Sequence, residues 1–341
     1  MKKAVVLFNL GGPEEQGDVE EFLFNLFFDK AIIPLPKPMR FFLAKYISKK
    51  RAAEAKEIYQ KIGGGSPLRK LTEEQADALQ KKLNSISEED EFRVFVSMRY
   101  WHPMSDETVT DVKGYDPDEI ILLPLYPQFS TSTSGSSIKD WKKTAKRLGL
   151  DKPTKEICCY PENDNFIQAH VDLLEPVYEK AKTKGTPRVL FSAHGLPKRV
   201  IDSGDPYRYQ IEKTADNIIK KMGIENIDWS VCYQSKVGKL EWIGPATDFE
   251  IMRAAKEKTP IVIVPIAFVS EHSETLVELD ILYKELANSM GLKNYFRVPA
   301  LGTSEKFIES LSDLCKNVEN QECGKSCEGK FERCFVKECK K

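Results

Sequence analysis

The chain has 341 residues, a formal net charge of −1, and hydrophobic and charged shares of 41% and 30%. That balance belongs to a globular protein with a sizeable core, and it excludes nucleic-acid binding driven by a global basic field. No run approaches the ~18 apolar residues of a membrane-crossing helix, and the apolar start at Ala4–Phe8 is too short for a secretion signal, so a cytoplasmic location is expected.

In chain order, a first strand is predicted at Ala4–Asn9, then a helix at Leu71–Leu83 and strands at Arg93–Met98 and Glu119–Tyr126. A helix at Ile167–Lys182 follows, then strands at Arg188–Ser192, Trp229–Tyr233 and Ile261–Phe268, with helices at Tyr209–Met222 and Ser273–Ser289 among them. Apolar runs alternating with amphipathic stretches predict an α/β fold with mainly parallel sheets. The halves echo each other. Val5–Phe8 leads into Asn9-Leu10-Gly11-Gly12-Pro13 as Val189–Phe191 leads into Ser192-Ala193-His194-Gly195, and Ile120–Tyr126 resembles Ile261–Ala267. Two similar lobes are therefore expected, residues 1–165 and 166–312, followed by a cysteine-rich tail at 313–341.

In such sheets ligands bind beyond the carboxyl ends of the strands. In the second half those ends carry Ser192-Ala193-His194, Tyr233-Gln234-Ser235 and Glu271-His272-Ser273-Glu274, so two of the four histidines stand at strand ends. Glu271, Glu274 and Glu278 are spaced to share one side of a helix, either a solvated acidic helix start that the dipole favours or a costly cluster of like charges that a cation or proton offsets. Histidine with carboxylates is a donor set suited to ferrous iron. The first-half ends are apolar and aromatic with one arginine: Leu10-Gly11-Gly12-Pro13, Met98-Arg99-Tyr100-Trp101 and Tyr126-Pro127-Gln128-Phe129. They suit a large flat ligand with an acidic edge. A nucleotide site is excluded, because Gly63-Gly64-Gly65-Ser66-Pro67 lacks the Lys-Ser/Thr of a P-loop and no G-x-G-x-x-G follows a strand.

Two more features stand out. Phe27–Pro36 and Met39–Ile47 set apolar residues beside Lys49-Lys50-Arg51, a pattern suited either to a solvated helix end or to transient contact with an anionic membrane surface. The tail reads C-x7-C-x3-C-x6-C-x4-C from Cys315 to Cys339 in polar sequence. It cannot build its own core, and a cluster, zinc, or nothing at all are the readings open to it.

The stretches Phe191–Pro197, Gln234–Gly238, Trp242–Pro245, Pro265–Phe268 and His272–Leu276, with Asn9–Pro13 and Ile62–Pro67, closely resemble the ferrochelatase family over nearly all of residues 1–312. That resemblance implies two Rossmann-like lobes with the active-site cleft between them, and insertion of Fe2+ into protoporphyrin IX, giving protohaem with release of two protons. His194 matches the histidine that takes pyrrole protons or meets the metal, and Glu274 its carboxylate partner. His272 and Glu278 match positions on the metal or proton route. Leu10, Leu26, Phe27, Arg99, Tyr100, Ser235 and Trp242 fall at porphyrin-pocket positions. The sequence departs from the pattern at Glu271, where many members have Asp, at Leu282, where some have a further Glu, and at Leu10, where animal enzymes have Met. Some members bind a [2Fe–2S] cluster at the C-terminus. The resemblance makes Cys323, Cys327, Cys334 and Cys339 the candidate ligands, since Ala169 replaces the upstream cysteine of the animal pattern. Coproporphyrin III as substrate, a chelatase for cobalt or nickel, and a carrier that binds haem without metallating it are the competing readings. Peripheral contact with the inner face of the cytoplasmic membrane is compatible with all of them, and nothing in the sequence sets an oligomeric state.

Overall fold

A computed structural model of the chain describes residues 1–238 and 240–318. They form two compact units, one of residues 1–126, 130–159 and the described residues from 311 on, the other of residues 127–129 and 160–310.

In the first unit, β1 (Lys2–Asn9), β2 (Glu91–Met98), β3 (Glu119–Pro124) and β4 (Thr154–Glu156) make a parallel sheet in the order β2-β1-β3-β4. Parallel neighbours need crossovers. They are supplied by α1 (Val19–Phe28), α2 (Lys37–Gln60) and α3 (Leu68–Ile86) after β1, α4 (Ser105–Tyr115) after β2 and α5 (Ser134–Leu148) after β3. Strand β1 is central and covered on both faces, with Ala4, Val5, Val6 and Leu7 wholly buried. That is why it reads as an unbroken apolar run and not as an alternation.

The second unit opens with α6 (Asp164–Lys182) and repeats the plan. Its strands are β5 (Arg188–His194), β6 (Asp228–Gln234), β7 (Ile261–Pro265) and β8 (Tyr295–Arg297), parallel and in the order β6-β5-β7-β8. Helices α7 (Lys198–Asp202) and α8 (Tyr207–Met222) join β5 to β6, and α9 (Thr247–Glu257) joins β6 to β7. Between β7 and β8 lie a π-helix at Glu274–Leu282 and α10 (Tyr283–Ser289). The two strand orders coincide, and the registers coincide too: Phe8 pairs with Pro124 where Ser192 pairs with Pro265. The fold is the two-lobed α/β arrangement predicted.

Three of the differences from the sequence reading bear on the site and the tail. The edge strands β4 and β8, three residues each, are too short to leave a periodic signal. The single helix predicted at Ser273–Ser289 is a π-helix followed by an α-helix, a distinction invisible to periodicity because both windings bring residues four apart to one side. The last helix, α11 (Glu305–Lys316), runs across residue 312, and Cys315 on it is buried. Cys323, Cys327, Cys334 and Cys339 lie outside the described residues. Among the described residues, no helix is long and apolar enough to cross a membrane.

Candidate active site

Strand β5 is where the second sheet's connections part, β6 being on one side and β7 on the other. Its last residue, His194, therefore sits at the switch point where open α/β sheets bind ligands. Its Nδ1 is 2.8 Å from Glu274 Oε2, and the imidazole keeps 39% of its surface. Burial would push Glu274 up and His194 down. Their mutual charge and hydrogen bond outweigh it, holding Glu274 down to about 2 and raising His194. Gly195 fits closely beside this pair: a Cβ there would stand 3.0 Å from the Gln234 carbonyl oxygen and 3.2 Å from the Trp242 ring, tight enough to push one of them aside by a few tenths of an ångström. The Trp242 ring stands edge-on to His194 with centroids 6.4 Å apart.

Glu278 is held differently. Ser235 donates from its backbone N to Oε1 at 2.9 Å and from Oγ to Oε2 at 2.5 Å, Gln234 Nε2 donates to Oε2 at 3.0 Å, and the Tyr283 hydroxyl donates to Oε1 at 3.0 Å. The Ser235 hydroxyl also lies 3.3 Å from Glu274 Oε2, so one serine links both acids. Burial and the charge of Glu274 raise the Glu278 carboxyl despite its donors. Ser235 does this from a left-handed backbone, φ 63°, an uncommon conformation for a residue with a Cβ and one that often marks function. Beneath it, Gln234 is fixed by the Ser192 hydroxyl, which donates to its Oε1 at 2.8 Å.

Glu271 does not join this pair, contrary to the expectation that three acids share a helix side. The helix begins only at Glu274, and Glu271 accepts instead from Arg297 Nη1 at 2.6 Å and from the Ala300 backbone at 2.9 Å. His272 is buried with its ring 4.7 Å from that of Phe268, and among the described residues its Nδ1 has no partner. Burial, set against the pull of Glu274 and Glu271, lowers it and favours the neutral ring. Among the described residues, no group of three or more His, Cys, Asp or Glu is arranged to hold a metal ion.

In the first unit, Leu10, Leu26 and Phe27 pack half-buried against one cluster with Tyr100, Tyr59 and Trp101. Arg99 is not free to meet a ligand's acidic edge unopposed. Its Nη2 bonds Asp29 Oδ2 at 2.9 Å and its Nε donates to Ser136 Oγ at 2.8 Å. Asp29 also accepts from the Tyr100 hydroxyl at 2.8 Å, from Ser136, and from the Ala31 backbone at 2.8 Å. Burial would raise its carboxyl, but Arg99 and these donors keep it low. Tyr100 is 1% exposed, so it supports the wall more than it faces it. The glycine run, which is no phosphate cradle, packs against the loop after β1: a Cβ on Gly65 would meet the Glu14 carbonyl oxygen at 1.8 Å.

Sequence reasoning missed Asp29, Gln234, Tyr283 and Arg297. Gln234 could have been found, since it ends β6 and pairs in register with His194; Tyr283 bonds Glu278 from five residues on, a spacing that α-helical periodicity does not pair, and Asp29 and Arg297 act across folds of chain that no local pattern records.

The family model for ferrochelatase matches residues 2–319. The ferrochelatase of Wolbachia sp. subsp. Drosophila simulans (strain wRi) is 53% identical over 318 residues, 93% of this chain and 100% of its own. That of Pelagibacter ubique (strain HTCC1062) is 52% identical over 314 residues, 92% of this chain and 90% of its own. Among solved structures, SirB from Bacillus subtilis with Fe3+ matches with a TM-score of 0.52 and 12% identity, over 94% of this chain and 98% of its own. The sirohydrochlorin chelatase SirB of the subspecies spizizenii in complex with cobalt matches at 0.53 and 11%, over 94% and 97%. At that identity the likeness to the two solved chains shows the fold alone.

Proposed function

The chain belongs to the ferrochelatase family, metal chelatases of haem biosynthesis, and on that premise we propose that it inserts Fe2+ into protoporphyrin IX, releasing two protons and protohaem. The observation that carries the residue roles is the His194–Glu274 pair, at hydrogen-bond distance on the switch-point strand. Glu274 orients the imidazole through Nδ1 and favours the tautomer with the proton there. Nε2 is then left to accept a pyrrole proton, and a raised pKa makes it a better base near neutrality. A flat porphyrin points its two N–H bonds at the centre that iron must enter. A site that binds a buckled ring better than a flat one exposes the nitrogen lone pairs and favours the transition state. Each N–H loses its proton as an Fe–N bond forms, so iron and ring end neutral in sum and two protons leave. Glu274 meets the entering iron, Glu278 and His272 stand on the metal or proton route, and Leu10, Leu26, Phe27, Ser235 and Trp242 flank the ring.

Arg99 supports protoporphyrin over coproporphyrin. It is the one cation among the predicted pocket positions, and Asp29 already offsets its charge. Coproporphyrin III carries more carboxylates and asks for more unopposed cations. Anaerobic incubation with Fe2+ and each porphyrin tests the reading. The protohaem spectrum should develop fastest with protoporphyrin IX. A preference for coproporphyrin III would move the substrate, and tight binding without metallation would make the protein a carrier.

The tail is read as the seat of a [2Fe–2S] cluster on Cys323, Cys327, Cys334 and Cys339, four thiolates being the ligand count such a cluster uses. What supports this is the state of two of the other four: Cys232 and Cys315 are buried, and burial pushes both thiols up, away from the thiolate a ligand must be. Anaerobically purified protein should hold about two iron and two sulfide per chain. Any of the four changed to Ser should bleach it, whereas Cys232→Ser should not. Stoichiometric zinc without sulfide would replace this reading.

The face of α1 and α2 supports contact with the cytoplasmic surface of a membrane. Phe24, Phe28, Phe41 and Phe42 form a chain of ring contacts at 5.4–5.9 Å, and Met39, Phe42 and Tyr46 project from it.

A further inference from the structure

A π-helix is rare beyond a single turn, because its i→i+5 hydrogen bonds are poorly supported by packing around the axis. Here nine residues, Glu274–Leu282, keep that winding and carry both Glu274 and Glu278. Something outside the helix must favour it over the ordinary α form.

Strand β8 grips it in two places. The Tyr295 hydroxyl donates to the Leu279 carbonyl oxygen at 2.5 Å, satisfying from outside a backbone group one residue past Glu278. Arg297, two residues on and so on the same side of the strand, takes Asp280 in a two-pronged contact, Nε to Oδ1 at 2.7 Å and Nη2 to Oδ2 at 2.5 Å. Its remaining nitrogen, Nη1, donates to Glu271 Oε1 at 2.6 Å, the residue before His272. One guanidinium, 13% exposed, thus ties the segment down on both flanks of the two acids. The planar fork suits this as a lysine ammonium would not.

We propose that Tyr295 and Arg297 are positioning residues, a clamp from the edge strand that holds Glu274–Leu282 in the π winding and so fixes how Glu278 stands relative to Glu274. Neither touches the reacting atoms. Return to α winding would turn Glu278 about the axis relative to Glu274, pulling it from Ser235 and Gln234 while leaving the His194 strand untouched. For its effect on turnover the proposal rests on the functional reading above, but its structural half does not.

The test uses full-length chains carrying Arg297→Gln, Arg297→Lys, Tyr295→Phe and Asp280→Asn. Crystal structures of the variants report the winding directly, and backbone hydrogen exchange over 274–282 reports it in solution. Arg297→Gln should shift the segment to α or mixed winding and speed its exchange. Turnover should fall about 10–100-fold, the scale of a small misplacement of catalytic groups, while KM for porphyrin stays within about twofold. Arg297→Lys should recover part of the turnover, Asp280→Asn should mimic Arg297→Gln, and Tyr295→Phe should be milder. Should Arg297→Gln fail to fold, Asp280→Asn and Tyr295→Phe carry the test. An unchanged π-helix with unchanged exchange in the folded variants overturns the clamp. A loss confined to porphyrin affinity overturns its role in positioning. Failure of the wild-type chain to metallate any porphyrin would remove the functional reading and leave the winding result standing.

Discussion

Glu274 and Glu278 share a serine and lie four residues apart, yet their surroundings move them in opposite directions. Glu274 has the imidazole and sinks; Glu278 has only neutral donors and an anionic neighbour and rises. Two acids set apart in this way suit a division of work, one ionised to meet a cation and one able to carry a proton. His194→Ala should therefore lower turnover about 10²–10⁴-fold, the usual worth of a general base, with porphyrin still bound. Glu274→Gln should cut kcat far more than porphyrin affinity, and Glu278→Gln should be milder; steady-state kinetics with fluorescence titration of porphyrin separates the two quantities. The sign of the pH effect follows as well. Because the folded Glu274 pKa is depressed from 4.5 to about 2, its contribution to stability is complete above the unfolded value and is lost as pH falls through that window. Denaturant unfolding should show Glu274→Gln less stable than wild type at neutral pH, with the gap closing on acidification. His194 was legible in the sequence because it ends a strand run, and Glu274 and Glu278 through their four-residue spacing and the family resemblance. Asp29 was not, because its donors Arg99 and Ser136 are 70 and 107 residues away.

At the scale of elements, α2 is the helix whose pattern says least. Its buried residues are Ala44, Ser48, Ala52 and Tyr59, small or polar apart from the last, while Phe42 and Tyr46 are 71% and 64% exposed. An outward stripe of rings beside Lys49, Lys50 and Arg51 matches an interfacial helix, apolar contact aided by attraction to anionic lipid. The protein should co-sediment with vesicles containing phosphatidylserine, more weakly at high salt, and several-fold less with phosphatidylcholine alone. Phe42→Asp with Tyr46→Asp should abolish the binding and leave metallation of porphyrin in detergent intact. Equal sedimentation of variant and wild type would clear this face of any role. The π-helix was legible as a helix but not in its winding. Its sequence fits an α-helix equally well, and its winding is decided by β8, a strand too short to announce itself.

At the scale of the molecule, the repeated architecture was readable because buried parallel strands are written as unbroken apolar runs, and the two sets of runs follow one another in the same order. The short edge strands β4 and β8 were not readable, since three residues carry no period. The shared strand order has a further meaning. With Phe8 and Ser192 at corresponding register positions, counting two residues on makes Leu10 the counterpart of His194. By the same count Arg99 corresponds to Gln234, and Tyr100 to Ser235. Had the two halves been separate copies of one half-length chain related by a twofold axis, every substitution at one strand end would have been imposed on its mate. A histidine installed for chemistry would then have appeared twice, once where an apolar wall was wanted. Joining the copies in one polypeptide lifts that symmetry, so that one address can be spelled leucine and its twin histidine.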